Sequence, residues 1–265
     1  MSKFKVATIV SAALVGAVTL GFSITSGSQA QFTSKESGQK ADQAALEETI
    51  RNYILENPEI IAQALDRYAE QEALFEEARI QENLDRHLAA LLDERDGYVM
   101  GAKGDNAKVA VIELFDYHCG YCKTAADYIA GMMEEESDVK FVFRELPILR
   151  EESEYAAKVA LAAREQGRYG DLHFALMDSS GLLDQDRIED IARKAGLNIG
   201  SLNSKRESEE LDAILERTLE IAIDIGLTGT PSFIVASTDG AYSKIIPYWD
   251  PEELEEAIEE ARQAS

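Results

Sequence analysis

Two cysteines, Cys119 and Cys122, are the only thiols in a chain of 265 residues. A single pair three residues apart cannot staple a disulfide scaffold, so its spacing points to redox or metal chemistry. Dithiol exchange needs a thiolate at the first position, and the free amides and positive dipole end of a helix N-terminus stabilise one. The second thiol, one helical turn further on, resolves the mixed disulfide that the first one forms. Cys119 is therefore expected as the nucleophile at an exposed helix start, and Cys122 as the resolving thiol. A structural zinc site normally takes four ligands, yet there is no second CxxC and no HxxxH. His118 adjoins the pair, whereas His87 and His173 stand alone. Two thiolates can hold copper(I), which keeps a copper-handling module as an alternative. No cofactor and no resident metal are expected.

The elements around the pair can be read from pattern. Val109 to Phe115 is a nearly continuous apolar run, as in a strand buried on both faces. Ala125, Ala126, Tyr128, Ile129, Met132 and Met133 then mark a helix. Strand, CxxC and helix follow one another in the order that makes a cysteine pair redox-active. Glu113 is the one acid in the strand, either buried or reaching solvent at its edge. Asp116 reads as a turn cap or solvent-facing residue without chemistry, His118 as a satisfied neighbour, and Tyr121 as a residue tuning the exposure of Cys119.

Composition narrows the partners. Acids outnumber bases 50 to 26, for a net charge of -24. That excludes the basic stripe a nucleic acid selects and disfavours anionic lipid. Lys3 and Lys5 precede an uncharged run from Val6 to Phe22, with small residues at Ser28 to Ala30. This is the pattern of a secretory signal over residues 1–30, or of an anchor through residues 6–22. Either makes the protein exported. Residues 31–41 read as a polar tether. Asp42 is expected to cap a first helix, with Asn57-Pro58 ending it and starting a second that runs unbroken to about Arg95. Residues 31–96 thus form a helical arm whose apolar repeat suits oligomerisation. The body of the protein is expected over 97–265.

Glu113-Leu114-Phe115-Asp116-Tyr117-His118-Cys119-Gly120-Tyr121-Cys122 resembles the active-site segment of the DsbA-like thioredoxin-fold oxidoreductases. Thr228-Gly229-Thr230-Pro231-Ser232-Phe233-Ile234-Val235 is similar to that family's threonine–cis-proline loop and following strand. Residues 150–225 are helical by pattern and match the family's inserted helical domain, and residues 252–262 its closing helix. The implied class is α/β: a thioredoxin fold with a helical insertion, behind an N-terminal helical arm. Tyr53 to Ile61 is similar to the N-terminal region of ScsC-type periplasmic disulfide isomerases.

The resemblance implies that Pro231 is cis across from Cys119, and that Thr230, Pro231, Gly120 and Tyr121 meet the substrate. It gives Glu113 the role of a buried acid relaying a proton to the second thiol. It implies unfolded or misoxidised proteins as substrates, a membrane redox partner that resets the dithiol, and a periplasmic location. The reading is disulfide isomerisation by a homo-oligomer; a monomeric oxidase of DsbA type is the alternative. Gly120-Tyr121 departs from the Pro-His dipeptide of the best-known oxidases, which argues against a strongly oxidising pair.

Overall fold

The computed structural model describes residues 28–265, with side chains from Asp42 onward. Of the expected signal over 1–30, or anchor through 6–22, all but Ser28 to Ala30 lies outside the described residues. Among those described, no helix is long and apolar enough to cross a membrane. The chain divides into a unit that ends at Glu70 and a larger unit from Gln71 to Ser265.

The first unit is helical. Helix α1 spans Ser28–Glu56, which corrects two expectations. Residues 31–41 are helix rather than tether, because Ser, Gln, Lys and Ala tolerate a helix and the stretch has no proline. Asp42 consequently lies inside α1 and does not cap it. Asn57 also changes role. Its amide and its Nδ2 both donate to the Tyr53 carbonyl, at 3.0 and 2.8 Å, closing the last turn of α1. Helix α2 follows over Glu59–Leu91, ending four residues short of the expected Arg95. Leu46, Ile50, Leu55, Leu65, Leu74 and Phe75 along these two helices are exposed.

The end of α2 belongs to the larger unit. Leu84, Leu88 and Leu91 are buried in one core cluster with Ile112, Leu114 and Val142. The sequence boundary at 96/97 therefore shifts: the last turns of α2 are core, not arm. Beyond the helix, β1 (Tyr98–Gly101), β2 (Val109–Phe115), α3 (Gly120–Glu135) and β3 (Val139–Glu145) follow. Five helices come next: α4 (Glu151–Ala162), α5 (Tyr169–Met177), α6 (Gln185–Lys194), α7 (Ile199–Arg206) and α8 (Glu209–Asp224). Then come β4 (Ser232–Ser237), β5 (Ser243–Ile246) and α9 (Pro251–Ala264).

The sheet order is β1-β3-β2-β4-β5. Strand β2 runs parallel to β3, as a helical crossover requires, and antiparallel to β4. Its central place explains why all seven of its residues are buried. Alternation splits them between two cores. Val109, Val111 and Phe115 join the cluster of α3 and the inserted helices, and Ile112 and Leu114 join that of α2 and α8. By the same alternation Glu113 lies on the α3 side.

Candidate active site

Strand β2 delivers the chain to a tight turn, and Cys119 becomes the N-cap of α3. Its Sγ accepts the Cys122 amide at 3.2 Å, one of the orphan donors of a helix start. The Thr230–Pro231 bond is cis, and the Thr230 carbonyl accepts from Cys119 Sγ at 3.1 Å. The thiol is thus wedged between the helix terminus and the proline loop, and Cys119 is only 5% exposed. This corrects the expectation of an exposed nucleophile. What faces solvent beside it is Gly120 and Tyr121, the latter 71% exposed.

The two thiols differ sharply in acidity. The side chain of Cys122 first, then Thr230 and the amides of Cys122 and Tyr121, pull Cys119 down to about 6, against the opposing effect of burial. Cys122 is fully buried. Burial pushes its thiol far above the usual range, aided by the hydrogen bond with Cys119 and the charge of Glu113. Glu113 is 2% exposed, and neither carboxyl oxygen has a partner. It is not at a strand edge. Burial first, and the Cys119 charge second, raise it to about 8.

The turn itself is held by Asp116, a turn cap that is buried rather than solvent-facing, and by His118. Asp116 is buried; its Oδ1 accepts the His118 amide at 2.7 Å and the Ser153 hydroxyl at 2.8 Å. His118 Nδ1 lies 2.9 Å from Ser153 Oγ, and its Nε2 accepts the Leu183 amide at 3.2 Å. A ring nitrogen that accepts carries no proton, so the imidazole is the neutral Nδ1–H form. Both nitrogens being engaged, His118 cannot join the two sulfurs as a third metal ligand. Among the described residues no cluster of three or more His, Cys, Asp or Glu has metal-binding geometry.

A second buried network lies at the end of β3. Glu145 accepts from the Tyr117 and Tyr169 hydroxyls at 3.0 and 2.8 Å. His173 Nδ1 contacts Tyr117 Oη at 3.2 Å. Burial keeps His173 neutral, its pKa lowered to about 3. Nothing in the sequence pattern pointed to Glu145, because its partners lie 24 and 28 residues away.

A central strand that runs into a CxxC at a helix start, with a cis-proline loop against the first thiol, defines a dithiol protein of the thioredoxin fold. Within that class the chain belongs to the DSBA-like thioredoxin domain family, whose profile matches residues 110–259. Residues 42–73 match the profile of the copper resistance protein ScsC N-terminal domain. A thioredoxin-like oxidoreductase from Silicibacter pomeroyi DSS-3 is 36% identical, covering 66% of this chain and 96% of that one, with a TM-score of 0.60. Proteus mirabilis ScsC in a transitional conformation shares the fold, at 23% identity, 85% and 97% coverage and a TM-score of 0.59. The Na(+)/H(+) antiporter NhaA 3 of Salinispora tropica is 25% identical over 131 residues, 49% of this chain. The chain spans about a fifth of the length of the curated relatives it matches, 20% in each case.

Proposed function

We propose that this protein is an exported, periplasmic thiol–disulfide oxidoreductase that acts on folding proteins, and that it works as a disulfide isomerase in a homo-oligomer. The observation that carries the reading is the pairing of an acidified Cys119 with a buried, proton-retaining Cys122 above Glu113. At neutral pH Cys119 is largely thiolate. It attacks a substrate disulfide, forming the mixed disulfide and releasing one substrate thiolate. Two exits follow. Another substrate thiolate can attack the mixed disulfide, leaving a rearranged substrate and the dithiol; this is isomerisation. Alternatively Cys122 Sγ attacks Cys119 Sγ, the substrate leaves reduced, and the protein is left as a disulfide.

Glu113 serves the second exit. The Cys119 charge is one of the two causes of its raised pKa, and that charge vanishes in the mixed disulfide. The carboxyl then becomes more acidic, its ionised form gains population, and that form can take the Cys122 proton. Thr230 and Pro231, beside the thiol, and Gly120 and Tyr121, at its rim, form the surface an extended substrate meets.

The arm supports assembly. Its exposed apolar residues from Leu46 to Phe75 need cover, and isolated helices are marginal in water. Several copies joined there place their CxxC pairs at high mutual concentration, which favours repeated re-engagement of one substrate. It also limits access by the membrane partner that would oxidise the pair. The test is deletion of residues 31–70, which leaves the buried end of α2 intact. Light scattering should show an oligomer becoming monomeric, with insulin reduction kept and rescue of scrambled disulfides lost. A full chain that is already monomeric at micromolar concentration overturns the isomerase reading in favour of a DsbA-type oxidase. Stoichiometric copper(I) binding without disulfide transfer overturns both.

A further inference from the structure

The turn before the CxxC converges on one carboxylate. Asp116 Oδ1 receives the His118 amide and the Ser153 hydroxyl, and Oδ2 receives the Leu149 amide at 2.9 Å. Its own carbonyl accepts the Cys119 amide at 3.0 Å. Three elements therefore close on this residue: the β2–α3 turn itself, the β3–α4 loop through Leu149, and α4 through Ser153. The inserted helices reach the same turn a second time, through the Leu183 amide on His118 Nε2.

We propose that Asp116 is a positioning residue of the thiol-exchange site, one that seats Cys119 Sγ on the α3 N-terminus by fixing the turn from both its side chain and its main chain. The inference rests on the reading of Cys119 as the attacking thiol. A buried carboxylate is tolerable only when donors satisfy it, and here three do. An amide in its place offers one acceptor atom and turns two N–H donors toward groups that already donate.

The surrounding charges make the sign of the effect informative. Glu113 faces the cysteines from β2, and Cys122 and Lys123 come from α3. The Lys123 ammonium is committed elsewhere, donating to the carbonyls of Leu176, Met177 and Ser179 at 3.0, 3.2 and 2.7 Å. His118 is neutral. A carboxylate at position 116 carries the same sign as a thiolate, and Coulomb's law alone says that removing it makes Cys119 more acidic. Seating says the opposite. If Asp116 works by holding the sulfur against the helix amides, removing its grip makes Cys119 less acidic.

The experiment is a titration of thiolate absorbance at 240 nm in the reduced full-length protein, compared with Asp116→Asn, alongside alkylation rates at pH 6. The expected result is an upward shift of the Cys119 midpoint and alkylation slowed roughly tenfold. A folded Asp116→Asn protein whose midpoint is unchanged or lowered overturns the proposal. Should that variant fail to fold, Ser153→Ala decides on the same readout, since it removes one donor and leaves the charge. A raised midpoint supports seating, and an unchanged or lowered one overturns it. Disulfide exchange by the wild type is assayed separately. Its absence refutes the function proposed above and does not bear on the midpoint comparison.

Discussion

Glu113 on β2 and Arg144 on β3 are both buried ionisable side chains in the middle of one sheet, yet they stand on opposite faces. Glu113 lies toward α3 with both carboxyl oxygens unpartnered. Arg144 lies toward α2 and α8, where Nη1 donates to the Ala90 carbonyl at 3.1 Å and Nη2 to Thr218 Oγ1 at 3.0 Å, leaving only its Nε without a partner. Burial lowers its pKa to about 10, so the guanidinium stays charged. Its role is to tie the end of α2 and the middle of α8 to the sheet. An unsatisfied buried group near two thiols reads as chemistry, and a bonded one among leucines reads as architecture. Depth of burial is the same for both and decides nothing.

The largest expected effect lies at the centre of the chemical face. Cys119→Ser should abolish exchange with protein disulfides, by roughly a thousandfold or more. Cys122→Ser should accumulate mixed disulfides visible on non-reducing gels. Trapping by Cys119→Ser instead would reverse the two roles.

Next is Arg144. Arg144→Ala removes the hydrogen bonds that the guanidinium gives to the Ala90 carbonyl and to Thr218 Oγ1 and opens a cavity, which should cost about 3 kcal/mol in urea unfolding. Activity per folded molecule should hold. If activity falls while stability does not, the two faces are not separable in the way argued here.

Glu113→Gln should behave in the opposite manner. Resolution of the mixed disulfide should slow by about 100-fold, a typical contribution of a positioned proton carrier, with attack by Cys119 little altered. Stopped-flow measurement of both steps checks it, and an unchanged resolution rate at pH 7 removes Glu113 from the mechanism.

The smallest effect is in the pH dependence of stability. An acid raised from 4.5 to about 8 is disfavoured in its ionised form by the fold. Its penalty is absent below pH 4.5, grows as pH rises towards 8 and is constant above. Glu113→Gln removes that slope. Between pH 4 and pH 6 the variant should gain about 2 kcal/mol on the wild type, measured by denaturation of the reduced forms. A parallel pH profile would mean that Glu113 titrates alike in the folded and unfolded chain, so that the fold does not raise it.

The chemical core was legible because it is local. An apolar run, a CxxC and the Thr230-Pro231 loop each announce themselves within ten residues, and the resemblance put them in one fold. Asp116 was legible as a turn cap, which its bond from the His118 amide makes it, but its burial was not, because its partners Leu149 and Ser153 are 33 and 37 residues distant. No periodicity encodes a hydrogen bond across that span. The burial of Cys119 was missed for the same reason, since the loop that covers it lies 111 residues on. The arm erred differently. Leu84, Leu88 and Leu91 repeat at threes and fours whether they face another helix or a sheet, so pattern alone could not assign them.

The sheet has one further consequence. Its two outer strands, β1 and β5, are four residues each. At the end of β1, Gly101 has φ +83, and a side chain there would meet the Val139 carbonyl at 2.6 Å. Lys140 and Lys244 add charge in the paired rows beside these margins. An unfolded client is a chain with free backbone groups, ready to add itself to any long flat edge. Short, kinked and charged margins offer it little to template on. If the proposed function holds, with clients engaged at Cys119 and the rim around it, such margins protect the protein from co-aggregating with them.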